Sequence, residues 1–406
     1  MLTGKTVILG VTGSIAAYKA ANLASMLIKQ HCRVHVIMTR NATNFIHPIT
    51  FETLTGQKCL IDTFDRNFKY DVEHISLAKK ADLFLTAPAS ANIIGKFAYG
   101  IADDMLSTTA LACKCKKIIA PAMNTNMYEN PIVQDNLKRL QQFGFEIIEP
   151  DSGFLACRDI GKGKLPKEEL LMDYILKELH YKKDMIGKTV LITAGPTREA
   201  IDPVRYISNH STGKMGYAIA RTAMERGATT ILISGPVSLT PPVSVQFIPV
   251  ISANDMLNTV NQYAKKADII IKAAAVADYT PINISQEKIK KTKGGASIPL
   301  KRTEDILANL GKQKRPDQFL CGFSMETEHL LENSQKKLKE KHADMIVANS
   351  LRTTGAGFGT DTNLVTLITS DYQKELPLMS KEEVAYQLLS EILARMEKNN
   401  KGEATK

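Results

Sequence analysis

Several stretches of this 406-residue chain gather residue types that do chemistry. The loop Gly10-Val11-Thr12-Gly13-Ser14-Ile15 joins a short apolar run to a helical pattern. Its glycines let backbone approach a ligand closely, and N–H groups at a helix start attract phosphate. Thr12 and Ser14 add hydroxyls. The spacing is not G-x-G-x-x-G, so a mononucleotide is expected rather than a dinucleotide. Taken alone, such a loop is also what an ordinary capped helix displays. His74, in Asp71-Val72-Glu73-His74-Ile75, is a proton-handling group beside acids, although a lone His is more often structural. Asn124, in Pro121-Ala122-Met123-Asn124-Thr125-Asn126-Met127-Tyr128, follows an apolar run, where turn chemistry alone also favours Asn. Cys157 ends Gly153-Phe154-Leu155-Ala156-Cys157 and opens a Gly- and Lys-rich stretch, 158–164, that reads as a flap. Cations on such a segment favour the thiolate. In the second half, Ser211-Thr212-Gly213-Lys214-Met215-Gly216 offers hydroxyls, N–H groups and a lysine at a helix start. That is a phosphate cradle in design, though not a P-loop, since GxxxxGK[ST] is absent.

The elements that must position these groups alternate between short apolar runs and helical periods. Strands are expected at 6–10, 34–38, 83–87, 118–120 and 146–148, and helices at 15–29 and 131–143, the latter with Pro131 in its first turn. This alternation predicts a parallel sheet flanked by helices. A charged helical stretch, 165–183, precedes a restart. Gly187-Lys188-Thr189-Val190 echoes Gly4-Lys5-Thr6-Val7 and marks a new domain near residue 186, giving domains 1–184 and 185–406. The second half predicts strands at 189–193, 230–234, 269–273, 319–322, 345–348 and 364–369, with helices at 214–226, 254–264 and 381–396. The fold class is therefore α/β, as two Rossmann-like three-layer domains. The segment 281–300 has no clear period and carries Lys288, Lys290, Lys291 and Lys293 around two glycines, which reads as a mobile basic loop that closes over a ligand. The polar end, 398–406, is expected to fray.

Composition narrows the function. A net charge of +10 suits nucleic acid or small phosphorylated substrates. With no Trp and 6% aromatics, and no basic motif interleaved with aromatics, a phosphate-bearing small molecule is favoured over nucleic acid. Six cysteines do not make a disulfide framework, and the Cys113/Cys115 pair has no second pair or nearby His to hold zinc. No apolar run approaches the roughly 18 residues of a membrane span. Residues 1–5 lead straight into an apolar strand without signal-peptide character, so a cytoplasmic location is expected.

In combination and order, the first-half motifs resemble the phosphopantothenoylcysteine decarboxylases of the FMN-binding cysteine decarboxylase group. The likeness is carried by Thr12-Gly13-Ser14-Ile15-Ala16-Ala17-Tyr18-Lys19, His74, Pro88-Ala89-Ser90-Ala91-Asn92, Gly100-Ile101-Ala102-Asp103-Asp104, the PxMNxxM run at 121–127 and the Cys157 flap. Arg158, Lys164 and Tyr128 depart from the usual Gly, Arg and Trp. The resemblance implies a flavodoxin-like, FMN-binding flavoprotein domain. It assigns Gly13, Ser14, Thr39, Ser90 and Asn92 to FMN. His74 becomes the base or proton handler, Asn124 the holder of the substrate carboxylate, and Cys157 the proton donor to the ene-thiol.

The second half resembles phosphopantothenate–cysteine ligase. The residues are 209–216, Ala273-Ala274-Ala275-Val276-Ala277-Asp278-Tyr279, Lys288-Ile289-Lys290-Lys291, Gly322-Phe323-Ser324-Met325-Glu326-Thr327 and Asp344-Met345-Ile346-Val347-Ala348-Asn349. This implies a nucleotide-binding ligase domain using CTP and Mg²⁺. Asn209 would bind an acyl-cytidylate and Lys288 would assist its formation. Asp278 would contact the nucleotide or the metal, Phe323 would line the cytosine pocket, and Lys337 and Lys341 would bind CTP. Together the halves imply a bifunctional flavoenzyme of coenzyme A synthesis acting on 4′-phosphopantothenate and L-cysteine. By the same likeness it would assemble as decarboxylase trimers and ligase dimers, with no nucleic-acid or membrane partner. A flavin oxidoreductase fused to a nucleotide-binding module would leave His74, Asn124 and Cys157 without a joint purpose. A regulatory flavoprotein would not need the full set in both halves.

Overall fold

The computed structural model describes residues 1–64, 72–156, 158–290, 297–326, 330–350, 357 and 359–403. Asp71, Cys157, Lys291, Lys293 and Thr327 lie outside the described residues. The chain divides into two compact units, Met1–Lys182 and Lys183–Lys406.

The first unit runs β1 (Thr6–Val11), α1 (Ala17–Lys29), β2 (Arg33–Met38), α2 (Pro48–Thr55), α3 (Glu73–Lys80), β3 (Leu83–Ala89), α4 (Ala91–Tyr99), α5 (Met105–Ala112), β4 (Lys116–Pro121), α6 (Thr125–Tyr128), α7 (Pro131–Gln142), β5 (Glu146–Ile147), β6 (Asp151–Phe154), β7 (Ile160–Lys164) and α8 (Glu168–Leu179). The five main strands lie in the order β2-β1-β3-β4-β5, all parallel. Successive β1 residues feed opposite faces. Val7, Leu9 and Val11 pack with α1, α2 and α8, while Ile8 packs with α3, α4, α5 and α7. Burial on both faces explains why the strands read as apolar runs without alternation. The stretch expected to be a loose flap is instead an antiparallel hairpin, β6–β7.

The second unit runs β8 (Thr189–Ala194), β9 (Arg198–Ala200), β10 (Tyr206–Ser208), α9 (Lys214–Glu225), β11 (Thr229–Ser234), β12 (Gln246–Pro249), α10 (Ala253–Ala264), β13 (Ile269–Lys272), β14 (Tyr279–Pro281), β15 (Leu300–Arg302), α11 (Ile306–Gln313), β16 (Phe319–Glu326), α12 (Leu330–Glu340), β17 (Met345–Ser350), β18 (Thr362–Ile368), β19 (Gln373–Ser380) and α13 (Lys381–Glu403). Its main sheet has the order β12-β11-β8-β13-β16-β17-β18-β19. The expectation of a parallel sheet holds from β12 to β17, but β18 and β19 run antiparallel. A tight turn with Thr369 N–H donating to Tyr372 O makes those two strands a hairpin. Helices α9 and α13 cover one face, and α10, α11 and α12 the other. Helix α13 continues to Glu403, past the point where fraying was expected. Segment 281–300 begins and ends in the pair β14–β15. Among the described residues, no helix is long and apolar enough to cross a membrane.

Candidate active sites

In open α/β sheets, ligands bind beyond the carboxyl ends of the strands, where the strand order reverses. For the first unit that point lies between β1 and β3, the place where a flavodoxin-ordered sheet holds its flavin. The loop after β1 is stitched to the loop after β3. Thr12 Oγ1 donates to Pro88 O at 2.8 Å and accepts from Ser90 N–H at 2.9 Å. The Thr12 hydroxyl is therefore buried and consumed, not presented to a ligand as the sequence suggested. Gly13 is required by packing, because a Cβ there would come within 2.7 Å of Asn41 Cβ. Ser14 Oγ accepts from Ala16 N–H at 3.3 Å. Thr39 leaves β2 in extended backbone, and its Oγ1 is buried with no partner among the described residues. Ser90 is the N-cap of α4 and makes no side-chain cap bond, and Asn92 is exposed on its first turn. An orphaned hydroxyl, an uncapped helix N-terminus and a glycine loop at the switch point are donors that fit a flavin phosphate and ring.

Asn124 stands just past β4 as the N-cap of α6, its Oδ1 accepting from Asn126 N–H at 2.8 Å. Its Nδ2 donates to Asp159 Oδ2 at 3.1 Å. Asp159 lies on the β6–β7 connection, so the hairpin carrying Cys157 in sequence is bound to the Asn124 segment. A second tie is Met123 N–H to Gly163 O at 3.0 Å. Sequence reasoning missed Asp159, although an acid two residues from Cys157 was a signal. His74 occupies the first turn of α3, partly exposed. Since α3 ends three residues before β3 begins, it returns antiparallel to that strand, and its first turn faces the carboxyl edge.

For the second unit the strand order reverses between β8 and β13. A cavity of about 770 Å³ opens there, lined by residues spread along the chain from Asn209 to Lys381. It contains Asn209, Asp278, Phe323, Lys337 and Lys341. Lys288 is not among its lining residues. Asn209 Nδ2 donates to Ala275 O at 2.9 Å. The segment 273–278 is in turn sewn to the loop after β8, by Ala275 N–H to Gly195 O at 2.9 Å and Ala277 N–H to Thr197 Oγ1 at 3.0 Å. Gly216 permits α9 to lie on β8, since a Cβ would sit 2.6 Å from Ala194 Cβ. Lys214, expected as the cradle's free cation, instead donates to Gly359 O at 2.9 Å and to Asp361 at 2.7 Å.

In the same cavity, Lys341 pairs with Asp305 at 2.9 Å, and Asp305 caps α11 by accepting from Ala308 N–H at 2.9 Å. Burial pushes the Asp305 carboxyl up, but the Ala308 N–H, Lys341 and the Lys272 charge together hold it below its ordinary range. Lys337 Nζ reaches Ser324 Oγ at 3.3 Å. Lys272 ends β13 at the edge of the cavity. Burial lowers its pKa, Asp305 and Asp278 oppose this, and Lys337 adds to it. Sequence reasoning missed both Lys272 and Asp305, although a lysine closing the run Ile269-Ile270-Ile271 was a signal.

The segment bearing Lys288 is clamped outside the cavity lining. Ile289 N–H donates to Asp202 Oδ2 at 3.2 Å, and Arg205 Nη2 donates to Ile289 O at 2.6 Å. Arg205 also forks onto Asp202 through Nε and Nη2. Burial raises the Asp202 carboxyl pKa, but the Val204, Arg205 and Ile289 N–H groups and the guanidinium outweigh it and hold it well below the usual range. Among the described residues, no group of three His, Cys, Asp or Glu is placed to hold a metal ion by itself.

A flavodoxin-ordered sheet joined in one chain to a second sheet of dinucleotide-binding order, each with polar groups at its switch point, defines a two-domain flavoprotein and nucleotide-binding enzyme. Residues 1–180 match the family model described as flavoprotein, and residues 185–396 the one described as DNA/pantothenate metabolism flavoprotein C-terminal domain. The coenzyme A biosynthesis bifunctional protein CoaBC of Bacillus subtilis is 49% identical over 400 residues, covering 97% of this chain and 98% of the relative. The Haemophilus influenzae protein of that name is 43% identical over 397 residues, covering 98% and 99%. A crystal structure of the C-terminal domain of a CoaBC protein shares 47% identity over 53% of this chain and 98% of its own, with a TM-score of 0.46. The chain belongs to the CoaBC family of bifunctional coenzyme A biosynthesis enzymes.

Proposed function

We propose that the second domain, 185–406, joins 4′-phosphopantothenate to L-cysteine at the expense of CTP, and that the first, 1–184, decarboxylates the product to 4′-phosphopantetheine. In the ligase reaction a carboxylate oxygen of phosphopantothenate attacks the α-phosphorus of CTP and pyrophosphate leaves. The cysteine amine then attacks the acyl carbon, CMP leaves with the bonding pair, and the nitrogen gives up its proton. Splitting the condensation in this way converts a poor acyl donor into a reactive one. Asn209 holds the acyl-cytidylate, Lys337 and Lys341 hold phosphate, and Phe323 packs on the base. Lys288, whose role rests on the family resemblance since its segment stands outside the cavity lining here, would have to enter the cavity to neutralise charge at the α-phosphate. Asp278, with the phosphates themselves, would hold Mg²⁺. The observation that carries this reading is the cavity gathering Asn209, Asp278, Phe323, Lys337 and Lys341 from distant parts of the sequence.

In the first domain, FMN would be held by Gly13, Ser14, Thr39, Ser90 and Asn92, and when bound supplies a two-electron acceptor and donor for the cysteinyl moiety. The chain's own groups do the rest. His74 moves the proton, Asn124 orients the carboxylate with Asp159 fixing its amide, and Cys157 delivers a proton to the ene-thiol. We further propose a homo-oligomer of decarboxylase trimers and ligase dimers, measurable as native mass. The test of the residue roles is trapping. Asn209→Asp is expected to stall after activation and accumulate the acyl-cytidylate, while Cys157→Ser is expected to release the oxidised ene-thiol. Normal turnover in either variant removes the role given to that residue.

A further inference from the structure

The cavity of the second unit presents six basic side chains, Lys214, Lys272, Arg302, Lys337, Lys341 and Lys381, against three acidic ones, Asp278, Glu304 and Asp305. Four of the lysines are engaged. Lys214 holds Gly359 O and Asp361, Lys381 holds the carbonyls of Gly357 and Thr360, Lys341 pairs with Asp305, and Lys337 reaches Ser324. Lys272 differs from them. Among the described residues its ammonium donates no hydrogen bond and forms no ion pair, and its electrostatic neighbours are Asp305, Lys337 and Asp278.

Its position sharpens the contrast. Lys272 is the last residue of β13, paired in register with Thr193 of β8, at the reversal of strand order. The three residues before it are fully buried isoleucines, so the strand delivers a lysine from the centre of the core to the mouth of the crevice. Lys272 is half-buried, and an ammonium drawn part-way out of water with no hydrogen bond or ion pair among the described residues is costly unless a ligand supplies the counter-charge. An excess of basic side chains in the same cavity selects an anion. A lysine ammonium is a compact point charge suited to phosphate oxygens.

We propose that Lys272 is a phosphate ligand for the nucleoside triphosphate of the ligase reaction. It sets affinity for the nucleotide, together with Lys337 and Lys341, which line the same cavity. This rests on the ligase reading above.

The test uses the full-length protein and its Lys272→Met and Lys272→Arg variants, with pyrophosphate release measured against each substrate in turn and CTP binding measured by calorimetry with Mg²⁺. Methionine keeps the apolar stem and removes the charge. A lost charge-assisted hydrogen bond predicts a rise in CTP KM and Kd of about 10- to 100-fold in Lys272→Met. The KM values for cysteine and phosphopantothenate and the melting temperature stay near wild type, and Lys272→Arg recovers most of the loss. An unchanged CTP KM and Kd overturns the proposal, as does a rise confined to phosphopantothenate. A wild-type protein that binds CTP but releases no pyrophosphate removes the ligase reading instead, and weaker CTP binding in Lys272→Met would then still uphold the phosphate contact.

Discussion

Replacing Gly163 by alanine should disable the decarboxylase and spare the ligase. Gly163 sits on β7 with φ +150°, and a Cβ there would lie 2.2 Å from Met123 O. The obstacle is a backbone carbonyl, which cannot rotate away as a side chain can. Two costs combine. Backbone conformations that only glycine adopts freely cost about 1–3 kcal/mol for other residues. The hydrogen bond from Met123 N–H to Gly163 O, now 3.0 Å, would be lost or lengthened, at about 1 kcal/mol. Roughly 2–4 kcal/mol against the docked hairpin lowers its docking equilibrium constant by roughly 30- to 700-fold. The docked hairpin brings Asp159 to Asn124 and carries Cys157, so phosphopantothenoylcysteine should accumulate in a coupled assay followed by mass spectrometry. Gly161→Ala is the control. Its Cβ would meet the Thr125 side chain, 2.5 Å away at Oγ1, which has rotamers to move into. A Gly163→Ala protein that makes 4′-phosphopantetheine at the wild-type rate would refute the view that this hairpin must lie on the 121–127 segment.

Three further outcomes follow from the geometry. Arg226 is 2% exposed and forks onto Asp184 with two bonds of 2.8 Å while also reaching Tyr386 O and Ser390. Asp184 is 33% exposed and can rehydrate, so Arg226→Met should cost about 2–4 kcal/mol and not the full value of a buried pair. That lowers the melting transition of the second unit by roughly 5–15 °C in calorimetry. His35 Nε2 is buried without a partner among the described residues, and burial, then Lys80 and Arg33, press its pKa below the usual value. The unfolded chain therefore takes up a proton near pH 6.5 that the folded one refuses, and stability is lost as pH falls from about 6.5 toward the folded pKa. His35→Gln should flatten the fall in melting temperature of the first unit over that window, and an unchanged slope would contradict this. Asp202→Asn removes the acceptor shared by Arg205 and Ile289, so ligase turnover should fall while CTP binding by calorimetry stays unchanged.

What the sequence disclosed depended on how local the deciding interactions are. The central strands of both sheets are buried on two faces, so apolar runs such as Ile269–Lys272 could be read without any partner, with bounds displaced by a residue or two. Helices α9 and α10 carry their own periods, and α10 its own cap, Ser252 and Asp255 forming a capping box. Pairing direction is not local, and nothing within residues 364–369 says that β18 would run against β17. Helices α4 and α5, of 9 and 8 residues, escaped because they are short. The motifs located both switch points, yet they did not tell which polar atoms would be spent on the fold. Thr12 and Lys214 looked like ligand donors and are occupied holding neighbouring backbone and Asp361. Lys272 looked like the end of a strand and lines the cavity with no hydrogen bond or ion pair among the described residues. That difference is decided by contacts between segments some 75 to 150 residues apart.

The central claim, two successive reactions on one chain, is tested most directly by mass spectrometry of the full-length protein incubated with 4′-phosphopantothenate, L-cysteine, Mg²⁺ and CTP. The expected result is 4′-phosphopantetheine, with CMP and pyrophosphate released in equal amounts. Recovery of unreacted phosphopantothenate, with CTP intact and FMN bound, would contradict it.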